Sequence, residues 1–178
     1  VYCINAARHL FEAEPTEVWA SCNERTDNPL FNEVEESIAA TMVFPGGRIA
    51  QFIASFGADT FDSYTVVGTA GSLTMDPAYR FESAMRLQQR NQEAMKTDQF
   101  PYTDHFAGMT AYFSECIRNG KPPEADGLEG LADLAILLAI EKSAQTGKLQ
   151  KIELPKRSVH PNAKMIYRYP RSEKKILL

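Results

Sequence analysis

The stretch VEESIAATMVFPGGRIAQFIASFGADTFDSYTVVGTAGSLTMD, residues Val34–Asp76, decides the fold because it predicts four β-strands in a row. From residue 37 to residue 44 two sets of side chains alternate, and this period of two places the larger set on one face of a sheet. Pro45-Gly46-Gly47 predicts a tight reversal, since glycine accepts the positive φ of hairpin turns. Consecutive strands joined by short turns are expected to pair as antiparallel neighbours.

The two faces of this predicted sheet differ in character. One face carries Ile38, Met42, Phe44 and Phe52, whereas the other carries many Ala, Ser and Thr side chains. We therefore expect helices to cover one face and the other face to stay open for a different use.

The remaining elements predict the class of the fold. Helical spacing or capping residues indicate helices over Tyr2–Glu12, Thr103–Asn119 and Leu128–Ala144, and strands are predicted over Thr16–Arg25 and Leu149–Leu154. Residues 85–89 and 93–98 fit either two polar edge strands or an exposed helical loop. The sequence thus predicts an α+β fold, with an open-faced, mostly antiparallel β-sheet and helices packed on one face.

We expect one domain over residues 1–155, followed by a basic C-terminal extension over residues 156–178. Two interpretations of the extension remain open: an extended tail over the surface or over a partner subunit, and a basic clamp on a substrate or a phosphate.

The composition of the chain limits which binding partners and which cellular compartment are expected. The formal net charge of -4 gives no footprint for nucleic acid or for an anionic membrane, and no apolar run approaches the ~20 residues of a membrane span. The three cysteines lie far apart without metal-ligand spacing, which is typical of reduced thiols and predicts a cytoplasmic protein. The chain begins with Val, so its true N-terminus is not visible and an export signal stays open.

Motifs for chemistry are few. Gly68–Gly71 follows a predicted strand but leads into another strand, so it is not a dinucleotide-binding loop. The polar face of the first helix groups Tyr2, Asn5 and His9, and a solvated surface is the plain alternative for that face. The residues alone indicate a soluble α+β domain with an open sheet face.

Several segments in order resemble the C-terminal domain of the glucose–fructose oxidoreductase / inositol dehydrogenase (Gfo/Idh/MocA) family. They are VYCINAARHLFEAEPTEV at residues 1–18, VVGTAGSLTMD at residues 66–76, and spaced residues from Phe106 to Gly147. The resemblance covers about Val1 to Leu154. The glucose–fructose oxidoreductase-like branch is nearest, because Tyr2 stands where most of the family has histidine.

The resemblance implies a two-domain enzyme that acts on a sugar or polyol-like substrate. Its NAD or NADP is bound by a Rossmann domain with a catalytic lysine, which is not in this chain, so we expect neither cofactor-binding residues nor metal ligands here. The family motif is Asp, then His or Tyr four residues later, then Asp or Asn three residues after that. Tyr2 and Asn5 match the last two positions, which implies a catalytic Tyr2 and a substrate-binding Asn5. The Asp would precede Val1.

The implied roles fit the side chains. Oxidation of an alcohol by a nicotinamide cofactor requires a proton to leave the oxygen, and a phenol serves only if a cation lowers its pKa from about 10. The lysine of the other domain would be that cation. Asn5 can donate to or accept from a hydroxyl group. The alternative for Tyr2 is an aromatic side chain that packs under the seam between two domains.

Assembly and activity follow from the same resemblance. It implies a homo-oligomer, dimer or tetramer, that forms through the open sheet face, and an isolated chain without activity. A different class of function also remains: a non-catalytic binding or scaffold domain that uses the open face for dimerisation or ligand sensing.

Overall fold

The computed structural model describes residues 1–23 and 28–156, which divide into two compact units. The first unit holds Val1–Ala58 and resumes at Pro122, and the second begins at Asp59 and ends at Lys121. The helices and strands in chain order are α1 Tyr2–Phe11, β1 Glu17–Asn23, β2 Ser37–Phe44, β3 Arg48–Ser55, β4 Tyr64–Gly68, β5 Gly71–Met75, β6 Met85–Asn91, β7 Met95–Phe100, α2 His105–Asn119, α3 Gly127–Thr146 and β8 Gln150–Lys151.

The first unit is built on a four-stranded antiparallel sheet in the order β3-β2-β1-β8. In β2 the buried positions are Ala40, Met42 and Phe44, which confirms the predicted period of two. Ile49 and Ile53 of β3 are exposed. The sheet therefore has one buried face and one face whose apolar side chains contact solvent.

Helices α1 and α3 cover the buried face of this sheet. Ile4 of α1 and Ile136 and Ile140 of α3 form one core cluster with strand residues such as Val18 and Met42. Burial of each such side chain stabilises the fold by about 1.5–3 kcal/mol. An α+β fold with helices on one face of an antiparallel sheet is thus confirmed for this unit.

Ser143 connects α3 to strand β1 and to the loop that follows the helix. Its Oγ accepts from the Ala20 amide at 2.9 Å and donates to the Lys148 carbonyl at 2.8 Å. Strand β8 pairs with β1 only at Glu17 and Val18, so the hydroxyl provides an acceptor where β8 has ended. A buried amide without a partner would cost about 1–3 kcal/mol, which explains a buried serine among Ala and Ile.

The second unit contains a meander of four antiparallel strands, in the order β4-β5-β6-β7, and helix α2. Residues 85–91 and 95–100 form strands, so the helical alternative for this part was wrong. The prediction that the four strands of Val34–Asp76 pair consecutively was also wrong, because β3 does not pair with β4. Strands β3 and β4 are edge strands of different sheets, because residues 56–63 form an eight-residue connection rather than a hairpin turn.

Both predicted long helices form, with bounds that differ by up to two residues: α2 begins at His105 rather than Thr103 and ends at Asn119 as predicted, and α3 spans Gly127–Thr146 rather than Leu128–Ala144. The side chains of Asp104 and Asp126 accept amide hydrogen bonds in the first turns of α2 and α3, and Gly120 and Gly147 adopt the left-handed conformation after the last turns. Among the described residues, no helix combines the length and the apolar character that a bilayer crossing requires.

Candidate functional site

Helix α1 places both predicted site residues on its polar side. Ile4 points into the core, while Tyr2 and Asn5 lie one turn apart on a different side of the helix. Tyr2 is 69% exposed, so its phenol is not part of the core of the first unit. Asn5 is half-buried, and its carboxamide contacts the neighbouring helix α3.

The carboxamide of Asn5 makes two hydrogen bonds within the protein. Its Nδ2 donates to Oδ2 of Asp133 at 3.1 Å, and its Oδ1 accepts from Nη1 of Arg8 at 3.0 Å. The guanidinium can only donate and an ionised carboxylate can only accept, so these partners determine which end of the carboxamide faces which neighbour.

Arg8 is the centre of this arrangement, and only 5% of its surface is exposed. Its Nε and Nη2 donate to the two carboxylate oxygens of Glu14 at 2.7 and 3.0 Å. Nη2 also contacts Glu129 at 2.7 Å, and Nη1 contacts Asp133 at 2.7 Å and Asn5. A guanidinium has five N–H groups, and here five acceptors surround it, so its orientation is fixed.

The surroundings keep Arg8 charged. Burial alone would lower the pKa of the guanidinium, but the hydrogen bond and the charge of Glu14, together with Asp133, outweigh it and hold the pKa of Arg8 above its usual value. The guanidinium therefore carries a full positive charge at any pH at which the protein is handled.

A cleft of about 670 Å³ opens beside this network. Asn5, Arg8, His9 and Glu12 line it from α1, and Asp126, Glu129 and Asp133 line it from the N-terminal part of α3 and its cap. Tyr2 is not among the lining residues. With Glu14 included, one guanidinium faces five carboxylates, so the cleft has a negative potential that favours uncharged or cationic ligands over anions.

Two features of the described residues bear on the binding of a cofactor or a metal: the Gly68–Gly71 turn, and the arrangement of the His, Cys, Asp and Glu side chains. Gly68 and Gly71 pair with each other at the turn between antiparallel strands β4 and β5, so this turn presents no helix N-terminus to a dinucleotide phosphate. Residues 1–23 and 28–156 contain no group of three or more His, Cys, Asp or Glu side chains arranged around a metal position. His160 and the rest of the predicted extension after Lys156 lie outside the described residues.

Sequence reasoning missed Arg8, Glu129 and Asp133 as a group. Helical spacing puts Arg8 beside the polar face of α1, but in the structure its side chain is buried. A signal was present in α3: over residues 128–140, Glu129 and Asp133 are the only charged side chains, and their spacing of four places them on one side of the helix. Such a pair in an apolar helix indicates a buried cation as partner.

Comparison with known proteins relates the chain to a family of oxidoreductases. Residues 1–74 match the family model of the GFO/IDH/MocA C-terminal domain. The chain is 26% identical over 157 residues to D-xylose 1-dehydrogenase [NADP(+)] of Haloarcula marismortui, a match that covers 86% of the chain and 42% of that protein. It is 25% identical over 154 residues to D-xylose 1-dehydrogenase (NADP(+)) 2 of Haloferax volcanii, covering 85% and 46%.

A solved structure supports the same relation. The crystal structure of aldose-aldose oxidoreductase from Caulobacter crescentus, complexed with glycerol, superposes with a TM-score of 0.78 at 29% sequence identity. The match covers 85% of the chain and 45% of that protein. The chain thus spans a little less than half the length of these relatives.

Proposed function

We propose that this chain is the substrate-binding and oligomerisation domain of an NAD(P)-dependent oxidoreductase acting on an aldose or a related polyol, because its N-terminal part matches the GFO/IDH/MocA C-terminal domain and its relatives are sugar oxidoreductases. The observation that carries the proposal is the family match over residues 1–74, which includes α1 with Tyr2 and Asn5. The names of the relatives, two NADP-dependent xylose dehydrogenases and an aldose-aldose oxidoreductase, supply the substrate class.

In this proposal Tyr2 exchanges the proton of the reacting hydroxyl, and Asn5 hydrogen-bonds a neighbouring hydroxyl. The exposure of Tyr2 leaves its phenol accessible from solvent. A nicotinamide cofactor, held mainly by the Rossmann domain that the resemblance implies, would supply the hydride transfer. The contribution of this chain is to place a proton-transfer group and a hydrogen-bonding amide beside the reacting carbon.

The proposal is tested on the protein expressed from its complete coding sequence. We expect reduction of NADP+ or NAD+ in the presence of D-xylose or another aldose, followed by absorbance of the reduced nicotinamide. The 178-residue chain alone, as the matched control, should give no turnover. A folded full protein that reduces neither cofactor with any aldose or polyol would contradict the enzyme and favour a scaffold role.

The open face of the first sheet supports a proposed interface between subunits. Trp19 of β1 and Ile49 and Ile53 of β3 are exposed on this face, and Ile53 is 75% exposed. Apolar side chains repeated across one sheet face are typical of surfaces that pair with another protein surface. We assign this face to a second copy of the chain, in a dimer or tetramer.

Replacing Ile53 with Glu should weaken that assembly, because the interface would bury a charge without a partner. Light scattering at micromolar concentration is expected to give a dimer or tetramer for the wild type, and a dissociation constant raised by at least about 100-fold for the variant. Leu30→Glu is the control, since Leu30 is equally exposed but lies outside the sheet. A wild-type monomer, or an Ile53→Glu protein that assembles normally, would refute this interface.

A further inference from the structure

We propose that Asp133 and Arg8 are positioning residues, which hold the Asn5 carboxamide in one orientation so that it binds an uncharged hydroxyl group of the substrate. The inference rests on the proposed function, and it adds two residues and a charge requirement to it. Asp133 and Arg8 act through Asn5 and need not touch the substrate themselves.

The first step is the orientation of the amide. A carboxamide has two N–H groups and two lone pairs on its oxygen. Asp133 takes one N–H and Arg8 takes one lone pair. A flip by 180° would turn the Nδ2 donors toward the guanidinium and the oxygen toward the carboxylate, which would replace both attractions with repulsion. The flipped orientation is therefore not populated.

The second step is the rigidity of the partners. Arg8 donates hydrogen bonds to Glu14, Asp133 and Asn5 and forms an ion pair with Glu129. The bidentate pair with Glu14 leaves the guanidinium no alternative position at low energy. Asp133 lies in the second turn of α3, whose Ile136 and Ile140 are packed in the core. Asn5 is thus held between a fixed donor and a fixed acceptor on two different helices.

The third step is what remains available on Asn5. One N–H and one lone pair are left, and this combination matches a hydroxyl, which can both donate and accept. Carboxylates and phosphates only accept, and the carboxylates around Arg8 and along the cleft repel them. The geometry therefore favours a neutral sugar or polyol over a sugar acid or a sugar phosphate.

An exchange of the two side chains separates positioning from folding. Asn5→Asp alone places two carboxylates within hydrogen-bonding distance of each other. Asp133→Asn alone removes a negative charge that pairs with Arg8. Each single variant should therefore have a lower melting temperature. The double variant Asn5→Asp/Asp133→Asn restores the net charge and one N–H···O bond between the same positions, with donor and acceptor reversed. Its melting temperature should return toward that of the wild type. Glu141→Gln, an exposed carboxylate on the same helix, is the control and should change nothing.

The KM of the double variant distinguishes a role of Asp133 in positioning Asn5 from a role in folding alone. In the protein expressed from its complete coding sequence, the double variant should keep a KM for the aldose about tenfold or more above wild type, with a smaller change in kcat, because residue 5 no longer donates an N–H. Recovery of both the melting temperature and KM would overturn the inference. So would a folded Asp133→Asn protein with a wild-type KM.

A second measurement needs no variant. The wild-type protein should have a KM at least about tenfold higher for a uronate, a sugar that carries a carboxylate, than for the neutral aldose. Equal KM values would overturn the charge requirement. Failure of the wild type to oxidise any aldose would instead contradict the proposed function. Additive changes in melting temperature across the four proteins would overturn the contact between Asn5 and Asp133 independently of any activity.

Discussion

A Tyr2→Phe substitution is expected to lower kcat by about 10²–10⁴-fold in the protein expressed from its complete coding sequence. The phenyl ring keeps the shape of the side chain but cannot exchange a proton with the substrate oxygen. Tyr2 is exposed at the first turn of α1, so removal of its hydroxyl should leave the melting temperature nearly unchanged. The two quantities are measured by steady-state kinetics and by thermal unfolding.

Two comparisons make the Tyr2 experiment specific. Cofactor affinity, measured by calorimetry, should stay within about twofold of wild type, because the family implies that another domain holds the cofactor. Tyr102→Phe, a change at another exposed tyrosine, should leave kcat unaltered. An unaltered kcat in Tyr2→Phe would remove Tyr2 from the proposed mechanism and leave its exposure without a catalytic explanation.

Replacing Arg8 with Ala should give the largest loss of stability of any single substitution discussed. Glu14, Glu129 and Asp133 would lose the cation that they share, and removal of one partner from a buried ionic network costs about 3–5 kcal/mol in the free energy of unfolding. Urea denaturation of the two proteins measures the difference. Lys142→Ala, which removes an exposed cation from α3, should stay within about 0.5 kcal/mol of the wild type.

The pH dependence of that difference has a definite sign. The pKa of Arg8 is raised in the folded protein, so its contribution is fully present below the pKa of the unfolded chain and is lost only as pH rises through the higher folded value. Both values lie above the working range. The stability difference between wild type and Arg8→Ala should therefore stay constant from about pH 7 to pH 10. A difference below about 1 kcal/mol, or one that disappears in this range, would contradict the central role of the guanidinium.

Local patterns predicted most of the elements, because their causes are local. Alternation placed Met42 and Phe44 on the buried face of β2, and Asp126 and Gly147 marked the two ends of α3. Periodicity was less informative about which stripe of a helix is buried. Phe106, Met109 and Phe113 follow helical spacing but are exposed, since spacing alone does not say what lies opposite a helix.

The sequence predicted Tyr2 and Asn5 of the candidate site but not the ionic network around Arg8. Tyr2 and Asn5 lie three positions apart and match the family motif, so the sequence alone predicts them as site residues. The contact of Arg8 with Asp133 joins residues 125 positions apart, and no local pattern specifies which acidic side chain a buried arginine meets. The position of the cleft depends on that contact and so required the structure.

The discontinuity of the first unit has a consequence for biosynthesis. Ser143 bonds to Ala20 across 123 positions, and α3 supplies Ile136 and Ile140 to a core whose strands are all made earlier, β8 excepted. While a ribosome is still translating residues 59–121, the apolar side of the nascent β1–β3 sheet has no α3 to cover it. This core can form completely only after α3, in the last third of the chain, has been synthesised. Until then the apolar face of the sheet is exposed and can be bound by chaperones.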